Sequence, residues 1–135
     1  MAKIDAAKVW SLNYRLLTSV ITSVAPDISE LGLEVKELFL LAEIDAHPHP
    51  AELAVRLSMP KPTVTVNLKR LEAAGFVRRE IDAADLRRHR LIVTPAGRKV
   101  MTRGLGVLSE AFGARLARLS AADQAELKAL LEKLS

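Results

Sequence analysis

Cysteine is missing from all 135 residues. Its absence excludes a disulfide framework, thiolate metal sites and thiol-based redox sensing by this chain. Aromatic residues are scarce, at 4% against 50% hydrophobic, so the core must be built from Leu, Val, Ile and Ala, which suits packed helices. Long apolar runs are also lacking. Leu38-Phe39-Leu40-Leu41-Ala42 is far shorter than the ~20 residues needed to span a bilayer. No signal-peptide-like stretch follows Met1-Ala2-Lys3-Ile4-Asp5, and a soluble cytoplasmic protein without membrane attachment is expected. Gly-rich phosphate loops, His-Glu-x-x-His and G-x-S-x-G are absent and the carboxylates are scattered. Neither an enzyme nor a bound cofactor is expected. What is present is a modest basic excess, 20 Lys and Arg against 16 Asp and Glu for a net charge of +4. That balance favours an anionic partner, a nucleic acid or a lipid surface, and does not bear on fold.

The length fits one domain with its own core, and no repeat or flexible linker divides residues 1–135. From Asp5 to about Val24, apolar residues form two rows at helical spacing: Val9, Leu12, Leu16 and Val20, and Trp10, Leu17, Ile21 and Val24. So broad a stripe predicts a helix covered on more than one side, by another subunit, with Pro26 ending it. A second helix is expected over about Glu34 to Ala46, with Val35, Leu38, Leu41 and Ala42 facing inward. His47-Pro48-His49-Pro50 breaks it, since proline disfavours helix at the residue before it, and Pro50 suits the first position of the next helix. His47 and His49 have the spacing of metal ligands, but a solvated turn is the simpler reading and no metal is expected.

A short helix carrying Leu53, Ala54 and Leu57, a tight turn at Ser58-Met59-Pro60, and a helix from Lys61 to about Ala74 come next. Val64, Leu68 and Leu71 lie at core spacing, and Gly75 is placed to stop the helix. Phe76–Ile81 and His89–Val93 read as strands joined by the charged loop 82–88. Thr94-Pro95 then starts a helix running to about Arg118, with Leu108, Phe112, Leu116 and Leu119 on its apolar side. Gly104 and Gly106 within it mark a bend, a close helix approach at a dimer interface, or tolerated flaws. Ser120 to Asp123 resembles a capping box, and the last helix is expected to bury Leu127, Leu130, Leu131 and Leu134. Trp10 and Tyr14 suit a core or interface, or a ligand pocket.

Residues 51–93 thus read helix, turn, helix, hairpin. A helix-turn-helix places its second helix in the major groove of DNA, where base edges present distinct donor and acceptor patterns. On the second helix, Lys61, Pro62, Thr63, Thr65, Val66, Lys69 and Arg70 lie wholly or partly away from the core side. Lys61 stands near a helix N-terminus, itself favourable to phosphate. Arg78, Arg79, Arg87, Arg88 and Arg90 gather positive charge around the hairpin loop, and arginine suits a narrow minor groove. Asp85, two residues before Arg87, is placed to steady it. The plain alternative is a solvated charge cluster in which Glu80, Asp82 and Asp85 neutralise the arginines.

Three strings carry a family resemblance. Ala51-Glu-Leu-Ala-Val-Arg-Leu57 resembles the first helix of the motif in the MarR family of bacterial regulators. Thr63-Val-Thr-Val-Asn-Leu-Lys-Arg-Leu-Glu-Ala-Ala-Gly-Phe-Val77 is similar to that family's recognition helix and its exit into the wing. Asp85-Leu-Arg-Arg-His-Arg-Leu-Ile-Val-Thr-Pro-Ala-Gly97 is similar to its wing, including the Asp-x-Arg element, and to the helix start that follows. The resemblance implies a mainly α fold with a small β-hairpin wing. Residues 34–97 would form the winged helix-turn-helix, and 1–33 and 98–135 the dimerisation helices. It further implies an obligate homodimer that reads a pseudo-palindromic site on double-stranded DNA, with Arg87 reaching the minor groove. The implied role is a ligand-responsive repressor, released by a small aromatic or phenolic effector. Val66 stands where a base-contacting Arg is frequent in the family, and Pro60 and Pro62 stiffen the helix start. A winged-helix module that binds an acidic partner protein, without sequence-specific DNA binding, is the competing function.

Overall fold

The computed structural model describes residues 3–135. Met1 and Ala2, which belong to the expected dimerisation segment 1–33, lie outside the described residues. The described elements are α1 (Ala6–Glu30), α2 (Val35–Glu43), α3 (Pro50–Arg56), α4 (Lys61–Ala73), β1 (Val77–Ile81), β2 (His89–Val93), α5 (Pro95–Leu116) and α6 (Ala121–Leu134). This is the expected mainly α fold with a β-hairpin wing. Two compact units divide it: Ala25–Leu105, and the remaining residues up to Val24 together with Gly106–Ser135. Among the described residues no single helix is long and apolar enough to cross a membrane.

Unit Ala25–Leu105 has a closed core. Ile28, Leu38, Leu40, Leu41, Ile44, Leu53, Leu68 and Leu71 are almost wholly withdrawn from solvent, each fully buried apolar side chain contributing about 1.5–3 kcal/mol. Gly104 belongs to this packing, because a Cβ there would lie 2.7 Å from Leu38 Cδ1. Its close approach is therefore made within the chain, whereas a Cβ on Gly106 would meet nothing within 4 Å. At the start of α2, the Glu34 amide donates to Glu37 Oε1 at 2.8 Å, which accounts for a buried glutamate. β1 and β2 pair antiparallel from Val77 opposite Val93 to Ile81 opposite His89. The hairpin's root, Val77, Leu91 and Val93, is buried, and its outer part is exposed.

Thr94 locks the entry to α5. Its hydroxyl accepts from the Gly97 amide at 3.0 Å and donates to the Gly75 carbonyl at 2.6 Å. This is the N-cap arrangement expected of threonine. Gly75, at φ 79°, adopts the left-handed conformation that ends α4 at little cost.

The other unit is open. Val9, Trp10, Leu12, Tyr14 and Leu17 on α1 are exposed, as are Leu130, Leu131 and Leu134 on α6. Trp10 and Tyr14 stack with centroids 6.2 Å apart. The expected burial of the α6 leucines does not occur within one chain: no α6 residue is buried, and Leu134 is 84% exposed. An amphipathic helix buries its apolar stripe only against another element, and none in the single chain covers this one.

Three boundaries differ from expectation. Pro26 lies inside α1, which continues to Glu30. Proline frees the carbonyl four residues back, but Thr22 and Pro26 are both exposed, so water can serve that oxygen, while Ile28 is fully buried and holds the last turn. α2 stops at Glu43, with His47 N–H donating to the Glu43 carbonyl at 2.9 Å in the turn that follows. α5 ends at Leu116, and Arg118 and Leu119 donate three residues back in a tightened last turn.

Candidate nucleic-acid interface

The turn between α3 and α4 is built around Ser58, the one non-glycine residue with positive φ among those described, at 52°. Ser58 N–H donates to the Val55 carbonyl at 3.2 Å and Met59 N–H to the Ala54 carbonyl at 2.9 Å. These bonds close α3 and aim the chain into α4. Val64, Asn67, Leu68 and Leu71 bury one side of α4. At 3.6 residues per turn, Lys61, Thr65, Lys69, Pro62 and Val66 follow one another around an arc of roughly 140° on the other side. All five are exposed, while Thr63 at the margin is half-buried.

That arc is chemically mixed. Lys61 and Lys69 make no ion pair among the described residues. Thr65 donates its hydroxyl to the Lys61 carbonyl at 3.0 Å, leaving the oxygen free to accept and the methyl free for apolar contact. Val66, 52% exposed, and Pro62 form an apolar strip beside the lysines. Arg70, at the far edge, donates to Glu34 Oε1 at 3.1 Å and so ties α4 to the start of α2. No side chain caps the α4 N-terminus, whose free amides favour an anion.

The hairpin sorts its arginines more sharply than their positions in sequence suggest. Arg78 pairs with Glu80 on the same strand, and Arg79 pairs with Glu72 near the end of α4. Arg88 reaches Asp82 Oδ2 at 3.4 Å and His49 Nε2 at 3.0 Å. Arg90 faces Glu80 in the strand register yet makes no ion pair among the described residues. Arg87 stands at the tip with its side chain 93% exposed and its Nε 3.5 Å from Asp85 Oδ1. The same Asp85 oxygen accepts the Arg87 amide at 3.0 Å, so Asp85 shapes the loop and lies against the arginine it precedes.

Asp82 organises the loop's other half. Its Oδ1 accepts the Ala84 amide at 2.8 Å, its own amide donates to the Arg88 carbonyl at 3.0 Å, and its Oδ2 lies 3.2 Å from His49 Nε2. The Ala84 N–H bond holds the carboxyl below the ordinary Asp range, aided by the charges of Arg88 and His49 and opposed by desolvation. Sequence reasoning treated Asp82 as one more neutralising charge and His49 as part of a solvated turn. The available signal was the repeated Asp-x-small or Asp-x-Arg pattern of Asp82 and Asp85, in which each carboxylate bonds the amide two residues on. Nothing local announced His49, which comes from 33 residues upstream of Asp82.

The sequence model of the MarR family matches residues 31–88. The HTH-type transcriptional repressor Rv2887 of Mycobacterium tuberculosis is 33% identical over 136 residues, which cover 99% of this chain and 98% of that one. The chain belongs to the MarR family. A crystal structure of the MarR family protein Rv2887 in complex with DNA matches with a TM-score of 0.78 at 31% identity, over 98% of this chain and 99% of that one. The same protein in complex with p-aminosalicylic acid matches with a TM-score of 0.74 at 32% identity, over 92% and 95%. A MarR family transcriptional regulator from Silicibacter pomeroyi matches with a TM-score of 0.78 at 25% identity, over 91% and 84%. For this MarR family chain, α3 and α4 are the helix-turn-helix and β1–β2 the wing.

Proposed function

We propose that the chain is a sequence-specific, double-stranded DNA-binding transcriptional regulator, a ligand-responsive repressor acting in the cytoplasm and not an enzyme. The observation that carries this reading is the continuous exposed arc of α4, whose Lys61 and Lys69 make no ion pair among the described residues, in the same compact unit as a hairpin tipped by Arg87. Phosphate contacts position such a protein and base contacts specify the sequence. Lys61, Lys69 and the α4 N-terminus meet phosphates. Pro62, Thr63, Thr65 and Val66 face base edges, with apolar contact to thymine methyl groups as the natural role of Val66. Arg87 enters the minor groove and Arg90 follows the backbone beside it. Arg70, Arg78 and Arg88 add positive potential from the flanks, although each is already engaged by a carboxylate.

A homodimer formed through 1–33 and 98–135 covers the exposed apolar residues of α1 and α6, and its twofold axis pairs two helix-turn-helix regions, 34–97, on a pseudo-palindromic operator. The likeness to a repressor crystallised with DNA and with p-aminosalicylic acid supports both the DNA partner and a small aromatic or phenolic effector. The test is enrichment of duplexes from a random-sequence pool, followed by titration of the enriched duplex at several salt concentrations. A log–log slope of about −0.9 for each phosphate neutralised is expected. Arg87→Ala should weaken binding about tenfold without loss of fold. Failure to enrich any sequence would favour the protein-interaction alternative.

A further inference from the structure

We infer that His49, Asp82 and Arg88 form a clamp that fixes the wing to the turn preceding α3, and that they are positioning residues for Arg87 rather than ligands of DNA. The inference deepens the DNA-binding reading above and rests on it for its functional half. The segment between α2 and α3 lies along the outer edge of β2. Leu91 N–H donates to the Pro48 carbonyl at 2.8 Å, and His49 Nδ1 lies 3.3 Å from the His89 carbonyl oxygen. Beyond this edge the His49 ring turns into the base of the loop, where its Nε2 is 3.2 Å from Asp82 Oδ2 and 3.0 Å from Arg88 Nη2. The His49 and Asp82 side chains are only 12% and 11% exposed. A proton on Nδ1 serves the His89 carbonyl and leaves Nε2 to accept from Arg88.

The chemistry explains why these groups are placed there. A two-stranded hairpin alone is marginally stable in water, and this one buries only its root. Its outer half, which carries Arg87, leaves its apolar side chains in water, with Ile81 63% and Leu86 78% exposed. The Pro48–Leu91 bond pins one point on the edge of β2. The clamp pins a second, at the loop, through a nearly buried carboxylate that accepts from Ala84 N–H and from Arg88, while His49 Nε2 accepts from the same Arg88. Because Pro50 begins α3 immediately after His49, the clamp refers the wing directly to the helix-turn-helix. An Arg88 held in this way is not free to follow phosphate.

The experiment combines amide hydrogen exchange on the free, full-length protein with titration of the duplex enriched by the wild type. In Asp82→Ala and His49→Ala, faster exchange is expected at the Asp82 and Leu91 amides, with Leu68 in α4 unchanged. Unchanged exchange at Asp82 and Leu91 would refute the clamp whether or not DNA is the partner. Both variants should bind the duplex about tenfold more weakly, with a salt slope smaller by about 0.9 for each Arg87 that leaves the duplex. His49→Gln, which keeps a hydrogen-bonding side chain, should recover part of the loss. The deciding arm is the Arg87→Ala background, where Asp82→Ala should cost little more, since Arg87 is what it positions. Full additivity of the two, or an unchanged salt slope with faster exchange, would overturn the positioning role and leave only a structural one. If the wild type enriches no duplex, the DNA-binding reading fails, and with it the claim that Arg87 is positioned for a groove; the exchange result then decides the clamp by itself.

Discussion

Residues 25–105 bury most of their large apolar side chains within one chain, whereas residues 3–24 and 106–135 leave many of theirs in water. In the first region Leu38, Leu41, Leu53 and Leu68 have no exposed surface; in the second, Trp10 is 65% and Leu17 54% exposed. Apolar area stabilises a fold only when it leaves water, so the two regions answer different requirements. One is complete as a single copy, and the other leaves its apolar side chains uncovered, as half of the proposed interface would. The proposed binding elements all belong to the complete region, and in the proposed dimer their pairing across a twofold operator would depend on the incomplete one.

The largest effect should come from breaking the incomplete region. Leu17→Asp combined with Leu131→Asp places charge on the exposed apolar residues of α1 and α6. Sedimentation equilibrium should then report a monomer, and affinity for the enriched duplex should fall about a thousandfold as the second half-site's contribution is lost. A variant that stays dimeric would move the interface elsewhere.

Within the closed region the sharpest single change is Gly97→Ala. A Cβ there would lie 2.0 Å from the Phe76 carbonyl oxygen, and that oxygen is fixed by accepting Thr94 N–H at 3.0 Å. Two backbone segments would have to part, at a cost of about 3 kcal/mol, measurable by urea denaturation. Gly106→Ala provides the contrast. With nothing within 4 Å of its Cβ, it should gain up to about 1 kcal/mol from helix propensity. A loss there would show that a second chain approaches that backbone closely.

The same division explains what could be read from the residues alone. α3, α4, both strands and the Thr94 cap were legible because each depends on local chemistry that this chain satisfies by itself: Pro50 at a first helical position, Gly75 at a left-handed stop, Thr94 with an amide to accept. The broad stripe on α1 is left exposed at Val9, Trp10, Leu12 and Leu17 in the single chain, and its coverage by another subunit is part of the proposal. On α6, however, the leucine spacing could not distinguish burial within the chain from burial against another. Pro26 misled because a helix tolerates proline when the freed carbonyl faces water. At the candidate interface, the α4 arc followed from helical periodicity, but the sorting of arginines into engaged and free did not. That sorting depends on Glu34, Glu72, Glu80, Asp82 and His49, and of these Glu34, Glu72 and His49 lie outside the hairpin.

A smaller effect should separate the wing from the core under acid. The carboxyl of Asp82 is held below its ordinary value in the fold, first by the Ala84 N–H. Its contribution is therefore fully present above the unfolded value of about 3.9 and is lost as pH falls through the lower folded value. Exchange at the Leu91 amide, corrected for intrinsic rate, should rise as the pH falls below about 4. The rise should precede the exposure of Leu68. Asp82→Asn should remove this acid dependence. Coincident opening of Leu91 and Leu68 would mean that the wing and the core unfold as one.

The smallest effect tests the turn that sets α3 against α4. Ser58 holds φ at 52°, a conformation that costs a side-chain-bearing residue about 1 kcal/mol. Its amide and that of Met59 are committed to the bonds that close α3, so the angle cannot relax without losing them. Ser58→Gly relieves the strain but gives back about half of it through the greater freedom of glycine in the unfolded chain. A net gain of about 0.5 kcal/mol is expected, with duplex affinity unchanged. Ser58→Asn, which tolerates the same conformation and keeps a side chain, should match the wild type or slightly exceed it. If Ser58→Gly were more stable yet bound DNA more weakly, the Ser58 side chain would be contributing stiffness that the geometry of a closed, single-copy region does not require.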